Sequence, residues 1–200
     1  LQLNFAGDHN DQYQRLLKLN SNRRHPFKYI GHPSRASNNE FTLAWARIDL
    51  SKDLSEALIE EVQNDWWRAA KSEVIEHHHR KRDANGQWQE WTTKRSRHSL
   101  EMEGCQRYLQ DVLPAYGEVW AEAMLSATLQ LLWEEIGVEK VFYHTFKTGC
   151  ALKNCKPPRS MYTQLPKRFC FQKTTEAPVF LEPQLRKMKK RLKNGYEFWR

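Results

Sequence analysis

The chain has 200 residues, of which 40% are hydrophobic and 12% aromatic, so we expect a single domain with one sizeable core. Its formal net charge of +8 is unevenly distributed, which suggests an anionic partner, most often nucleic acid, with a solvated basic face as the alternative. No apolar run approaches the ~18 residues that a bilayer-spanning helix needs, which excludes a membrane-spanning protein and predicts a soluble one without a membrane partner.

The N-terminal 40 residues are polar and are interrupted by Pro26 and Pro33, which predicts an irregular segment with one short helix around Gln12–Leu19. The next run, FTLAWARIDL at 41–50, alternates apolar side chains on one face and predicts a strand. SKDLSE reads as a turn and ALIEEVQ as the returning strand of a hairpin.

Asn64 or Asp65 is placed to cap a helix, because a short side-chain oxygen can accept from an unpaired amide of the first turn. We expect this helix to run to about His79 and a projecting hairpin to fill 80–99. A helical stripe from Met102 to Val112 then ends before Pro114.

The clearest element is a core helix over Val119–Ile136, which Gly137 ends at the position after the cap. VEKVFYHTF follows as a strand, and TGC as a turn or short helix. We predict one or two strands in RSMYTQLPKRFCFQ, an extended APVFLEPQ and a short basic helix in LRKMKKRLK.

These elements predict the α+β class, with a central, mostly antiparallel sheet and one long core helix. We divide the chain into an irregular segment at 1–40, a single domain at 41–182 and a basic tail at 183–200. Because the chain begins without Met, we expect it to belong to a larger polypeptide or complex.

Positive charge is concentrated in the last quarter of the chain. From Lys147 to Arg200 there are 14 Lys and Arg against three acids, a net of +11, so the preceding residues carry −3 of the total +8. Cations would neutralise phosphates while exposed aromatic rings stack on bases. The predicted nucleic-acid-binding residues are Arg80, Lys81, Arg82, Trp88, Trp91, Lys167, Arg168, Lys189, Lys190 and Arg191.

The four cysteines lack the dense spacing of secreted disulfide scaffolds, which predicts reduced thiols and a cytoplasmic location. Cys150 and Cys155 are separated by four residues without a second pair, so their spacing does not favour a zinc site. The cofactor, if there is one, stays unknown from sequence.

Acidic and amide side chains gather at the end of the second predicted strand. On a regular strand Glu61 and Gln63 share one face, whereas Glu60 points to the other face. Glu61 and Gln63 are therefore candidate catalytic residues, and with Asp49 they could hold a divalent cation in a nuclease site. The alternative is a helix cap with ordinary surface carboxylates.

Histidines occur in two settings. His77, His78 and His79 fan out by ~100° each on a helix, so they cannot all bind one ion, and a solvated helix end is the simpler interpretation. His144 lies at the end of a strand, where open-sheet proteins often bind ligands, and is a candidate site residue or a hydrogen-bonded core histidine.

Two segments resemble known families. ALIEEVQNDWW, preceded by TLAWARIDL, resembles the LFIEEIQSDWH segment, preceded by TLAWVR, of large polyvalent proteins of bacterial viruses and mobile elements. The later WAEAMLSATLQLLWEEIGVEKVFYHTFKTG is similar to the helix and strand that follow it there. This resemblance implies a phage or mobile-element origin and no particular chemistry.

The order of elements in the second half resembles the GNAT acyltransferase superfamily. That resemblance implies an acyl-CoA cofactor and makes Tyr162 a candidate general acid. The superfamily's pyrophosphate loop, Gln/Arg-x-x-Gly-x-Gly/Ala, is replaced here by PAYGEVWAEAM. Our leading hypothesis is thus a nucleic-acid-associated module, and the alternatives are an N-acyltransferase of GNAT type and a metal-dependent nuclease.

Overall fold

The computed structural model describes residues 1–5, 12, 15–16, 32–33, 42–68, 70, 85, 102–117, 119–154, 156–188, 190–192 and 195–200. The chain forms two compact units. The sheet unit contains Leu1, Trp45–Gln63 and Ala121–Arg200, and the second unit contains Gln2–Ala44 and Asn64–Trp120.

A six-stranded mixed sheet is the main element of the fold, with the strand order β1-β2-β3-β4-β6-β5. Its strands are β1 Gln2–Asn4, β2 Thr42–Leu50, β3 Glu56–Gln63, β4 Lys140–His144, β5 Lys173–Thr174 and β6 Phe198–Trp199. The β2–β3, β4–β6 and β5–β6 pairs are antiparallel, while β3 and β4 run parallel. Together with the helices this confirms the predicted α+β class.

The predicted hairpin of β2 and β3 is confirmed, and its turn is organised by Asp53. The hydroxyls of Ser51 and Ser55 and the Ser55 amide all donate to one Asp53 carboxylate oxygen, at 2.6, 2.9 and 3.2 Å. These bonds, led by that from Ser51, lower the pKa of Asp53 to about 2.

A β-bulge interrupts the pairing of β2 with β3. Ile48 pairs with Ile59 and Arg47 with Glu61, so Glu60 is an extra residue without an opposite partner on β2. An extra residue of this kind bends the strand and shifts the alternation of its side chains. The prediction that Glu60 and Glu61 point to opposite faces is therefore wrong, since both carboxylates approach Arg47.

Six α-helical segments lie in the described part after residue 100: α1 Met102–Arg107, α2 Pro114–Gly117, α3 Trp120–Gln130, α4 Phe146–Lys153, α5 Leu165–Arg168 and α6 Glu182–Lys187. Helix α1 continues as a π-helix over Tyr108–Val112, and α3 continues as one over Leu131–Ile136. Two 3₁₀ turns cover Arg159–Tyr162 and Val179–Leu181.

The long core helix is confirmed. Met124, Leu125, Leu129 and Leu132 are buried along its predicted stripe. Gly137 follows in the left-handed region at φ 80°, and the Val138 amide donates to the Leu132 carbonyl at 2.8 Å. Glycine reaches this conformation without the steric cost of a Cβ, which is why the helix ends there.

Two predictions for the C-terminal quarter are wrong. The segment predicted as one or two strands contains the 3₁₀ turn and α5, and only Lys173–Thr174 beyond it is a strand. The segment predicted as extended contains the second 3₁₀ turn and the start of α6. Pro166 and Pro183 each stand in the first helical turn, where a missing amide hydrogen has no consequence, so proline marks helix starts here.

Residues 183–200 are part of the sheet unit rather than a tail. Phe198 and Trp199 form β6 and are buried between β4 and β5. Leu185 and Leu192 pack with Phe198 in the main core cluster. The other buried members of that cluster are Leu58, Phe142 and Leu181.

In the second unit, the predicted helix start is confirmed, because the Trp67 amide donates to the Asn64 side-chain oxygen at 2.9 Å. Phe5 meets Trp66 and Tyr116 edge to face. A Cβ at Gly117 would lie 2.7 Å from the Trp67 ring, so a larger residue there would force this ring to shift. The remainder of the helix predicted to reach His79 and nearly all of the predicted 80–99 hairpin lie outside the described residues.

Across the part of the chain that the structure describes, no helix is both long enough and apolar enough to cross a bilayer.

Candidate functional site

A compact charge cluster forms where β3 bulges. The Lys153 ammonium on α4 lies 3.0 Å from the Glu61 carboxylate and 3.9 Å from that of Glu60. The Arg47 guanidinium approaches the same two carboxylates, at 3.5 Å from Glu60 and 4.0 Å from Glu61. We call these four side chains the β3 cluster. Its two cations balance its two anions.

Tyr162 lies just beyond the point where the pairing of β3 with β4 ends. Parallel pairing of these strands extends only to Ile59 and Tyr143. Beyond that point the Tyr162 hydroxyl donates to the Glu60 carbonyl at 3.1 Å and accepts from Lys153 at 3.4 Å. The side chain is 1% exposed. Tyr162 therefore supplies a hydrogen bond to a backbone carbonyl of β3 beyond the end of the β3–β4 pairing.

Helix α4 approaches Tyr162 through a glycine. A Cβ at Gly149 would lie 3.3 Å from the Tyr162 ring, so a larger residue there would press on it. The ring of Tyr143 meets Tyr162 edge to face at 5.7 Å. Burial, and then the proximity of Tyr162 and Glu61, raises the pKa of Tyr143 well above its ordinary value. Its hydroxyl has no hydrogen-bond partner among the described residues.

His144 is a core histidine. It is 2% exposed, and its ring lies 5.7 Å from that of Phe198. Burial, with a smaller effect from Lys153, lowers the pKa of His144 to about 3, so the ring is neutral at pH 7. The neighbouring Thr145 and Thr148 hydroxyls both donate to the Glu197 carbonyl. These threonines therefore hold β6 against α4 and do not line an open cleft.

The acidic residues proposed for a nuclease are not gathered at one point. Asp49 is exposed and lies opposite Leu58, whereas Glu61 lies opposite Arg47 and is held by two cations. Gln63 is buried, 8% exposed, and lies opposite Trp45. Within the described ranges no three His, Cys, Asp or Glu side chains are grouped to hold a metal ion. The geometry of the β3 cluster is that of a neutralised ion-pair network.

All three acids of the C-terminal quarter form ion pairs with lysines or arginines. Glu176 contacts both Lys140 and Arg200, while Glu182 contacts Arg186 and Glu197 contacts Lys173. Arg168, one of the predicted nucleic-acid-binding residues, forms an ion pair with Glu122. With Lys153, five of the 14 cations are thus held by carboxylates.

Six other cations of this quarter are exposed and have no carboxylate partner within the described part of the chain: Lys156, Arg159, Lys167, Lys187, Lys190 and Arg191. Three of them lie near the two ends of α4. Arg159 lies over the Phe146 ring at 5.4 Å, Arg191 donates to the Asn154 side chain at 3.4 Å, and Lys156 follows α4 by three residues. Since α4 has eight residues, these contacts span only ~12 Å.

We call Lys156, Arg159 and Arg191 the α4 basic surface. Sequence analysis identified Arg191 but missed Lys156 and Arg159, and it also missed Arg47 and Lys153 of the β3 cluster. Contacts with residues distant in the sequence position Arg47, Lys153, Arg159 and Arg191. No local sequence pattern predicts such contacts. Of the predicted nucleic-acid-binding residues, Arg80, Lys81, Arg82, Trp88, Trp91 and Lys189 lie outside the described residues.

A separate shallow cavity of about 250 Å³ lies where β4 begins. Trp133, Lys140, Phe171 and Arg200 are among its lining residues. The Lys140 and Arg200 side chains are already paired with Glu176. None of the predicted catalytic residues lines this cavity.

Comparison with protein-family models, with curated proteins and with solved structures finds no match to this chain. The resemblances to polyvalent phage proteins and to GNAT acyltransferases therefore stay predictions.

We predict that Lys153→Met lowers the free energy of unfolding by about 1–3 kcal/mol, because it leaves two half-buried carboxylates with Arg47 alone. Glu61→Gln in the same chain should recover part of this loss. Urea unfolding of the two single variants and the double variant measures the coupling.

The matched control is Arg186→Met, which breaks the exposed pair with Glu182 and should cost less than about 0.5 kcal/mol. Equal losses for the Lys153 and Arg186 variants would show that the β3 cluster contributes no more than a surface ion pair.

His144 predicts a pH dependence of stability. Its folded pKa of about 3 lies below the unfolded value of 6.5, so between these values the unfolded chain binds a proton that the folded chain does not. Stability should therefore rise with pH across this window, with His144 contributing up to roughly 1.4 kcal/mol per pH unit. Urea unfolding at pH 4.5, 5.5 and 7 compares the native chain with His144→Gln. An identical pH slope in both would contradict the lowered pKa.

Proposed function

We propose that this protein binds a polyanion, and that nucleic acid is the partner, through the α4 basic surface. One observation carries the proposal: three exposed cations lie near the two ends of one short helix and have no carboxylate partner among the described residues. Cations held by a nearby acid contribute little field at a distance, whereas unpaired ones attract phosphates.

Phosphate recognition is the chemistry that these side chains supply. The guanidinium groups of Arg159 and Arg191 can each donate two parallel hydrogen bonds to a phosphate, and the Lys156 ammonium adds a point charge. The net charge of +8 favours the approach of any polyanion at low salt. Lys167 and Lys190 are also exposed and unpaired within the described ranges, and they extend the set of candidate phosphate contacts.

The proposal extends to the origin and the cellular location of the protein. A nucleic-acid-associated module fits a phage or mobile-element origin, and its activity would then depend on a larger polypeptide or complex. A cytoplasmic location fits a partner of this kind.

The alternative activities have less geometric support. As a general acid in an acyltransferase, Tyr162 would have to leave its bond with the Glu60 carbonyl, because its side chain is 1% exposed. A nuclease built on Glu61 would need a metal ion to displace both Lys153 and Arg47. Neither activity is required to explain the β3 cluster, which is electrically balanced.

Two triple variants test the proposal at equal net charge. Lys156, Arg159 and Arg191 are changed to Gln in one, and the ion-paired Arg168, Lys173 and Arg186 are changed to Gln in the other. We expect the first triple variant to bind a labelled DNA or RNA oligonucleotide at least ~10-fold more weakly than the native chain, and the second to bind within ~3-fold of it. Fluorescence anisotropy at one low salt concentration gives both affinities.

If the two triple variants lose the same affinity, binding follows total charge and not the α4 basic surface. No binding by the native chain at low salt would refute the proposed function itself.

A further inference from the structure

A cation–π pair of an arginine and an aromatic ring lies within the α4 basic surface, and we call it the Phe146–Arg159 stack. The Arg159 guanidinium lies 5.4 Å above the centre of the Phe146 ring, and Arg159 is exposed. Phe146 is the first residue of α4 and is only partly buried. Because the ring lies on one side of this exposed guanidinium, a second planar group can approach it from the solvent side.

The arginine at the other end of α4 has different surroundings. Arg191 donates to the Asn154 side chain at 3.4 Å, and no aromatic ring lies under its guanidinium within the described residues. Both arginines are exposed and neither is paired with a described carboxylate. The two side chains thus carry equal charge but differ in whether they are held in a stack.

We infer that the Phe146–Arg159 stack is a platform for an unpaired base, so that the nucleic acid bound is single-stranded. This inference rests on the proposed function. Guanidinium planes and aromatic rings are the surfaces on which unstacked bases are held in single-strand recognition. In a duplex the base faces are covered by their neighbours, so a duplex could use the positive charges of this surface but not its stack.

Charge and stacking are separable at this position. Lys keeps the positive charge of Arg159 but has no planar group to lie between the Phe146 ring and a base. Arg159→Lys should therefore keep the charge attraction to phosphates, lose the paired hydrogen bonds to a phosphate, and remove the contribution from bases. Arg191→Lys is the matched control, because it makes the same exchange at an arginine that is not stacked on a ring.

The experiment compares a single-stranded oligothymidine of twelve nucleotides with an abasic strand that has the same number of phosphates. We expect the native chain to bind oligothymidine ~5- to 150-fold more tightly than the abasic strand, which corresponds to one stacked base. With Arg159→Lys the two strands should bind within ~2-fold of each other, while affinity for the abasic strand should fall no more than it does with Arg191→Lys. Arg191→Lys should keep the preference for oligothymidine.

Three results would overturn the inference. One is equal affinity of the native chain for the two strands, another is the same base preference in the Arg159 and Arg191 variants, and the third is tighter binding of a duplex of the same length. In each of these the abasic strand still binds in a charge-dependent way, so the proposed function survives. If neither strand binds, the proposed function and the inference both fail.

Discussion

The last quarter of the chain has far fewer carboxylates than cations, so most of its cations cannot form an ion pair within this quarter. This quarter holds 14 Lys and Arg but only Glu176, Glu182 and Glu197 as acids, and cations close by engage all three. Lys153 and Arg168 instead reach acids that stand much earlier in the chain, at the end of β3 and at the start of α3. In the described part of this quarter, six cations without a carboxylate partner are exposed, and three of these lie near the ends of α4. Because carboxylates are scarce in this quarter, Lys153 of α4 pairs with acids of β3, and the cations of the α4 basic surface have no carboxylate partner among the described residues.

The bulge in β3 makes the first of those long-range pairs possible. On a regular strand without the bulge, the carboxylates of Glu60 and Glu61 would point to opposite sides of the sheet, and Lys153 could not approach both. The bulged strand also leaves the Glu60 carbonyl unpaired by β4, and the Tyr162 hydroxyl satisfies it. Glu60, Glu61 and Tyr162, the first two of which gave the sequence its acidic cluster, therefore help to hold β3, α4 and the first 3₁₀ turn together.

Elements defined by neighbouring residues could be predicted from sequence, whereas those defined by distant partners could not. The β2–β3 hairpin, the Asn64 cap and the helix that ends at Gly137 each follow from local alternation, a capping oxygen or a glycine in the left-handed region. Strand β6 has two residues and becomes a strand by pairing with β4 and β5, so no periodicity marks it. The bulge likewise depends on the register with β2. The distribution of charge along the sequence predicted a basic quarter. Which of its cations pair with carboxylates is decided by folding.

The central claim is that several unmasked cations on one surface bind phosphates. The dependence of nucleic-acid affinity on salt concentration tests it most directly, because each phosphate contact releases counterions. For three to six contacts on a single strand, the account predicts a linear plot of log Kobs against log salt with a slope of roughly −2 to −4. An affinity that stays constant between ~0.05 and ~0.3 M salt would contradict it.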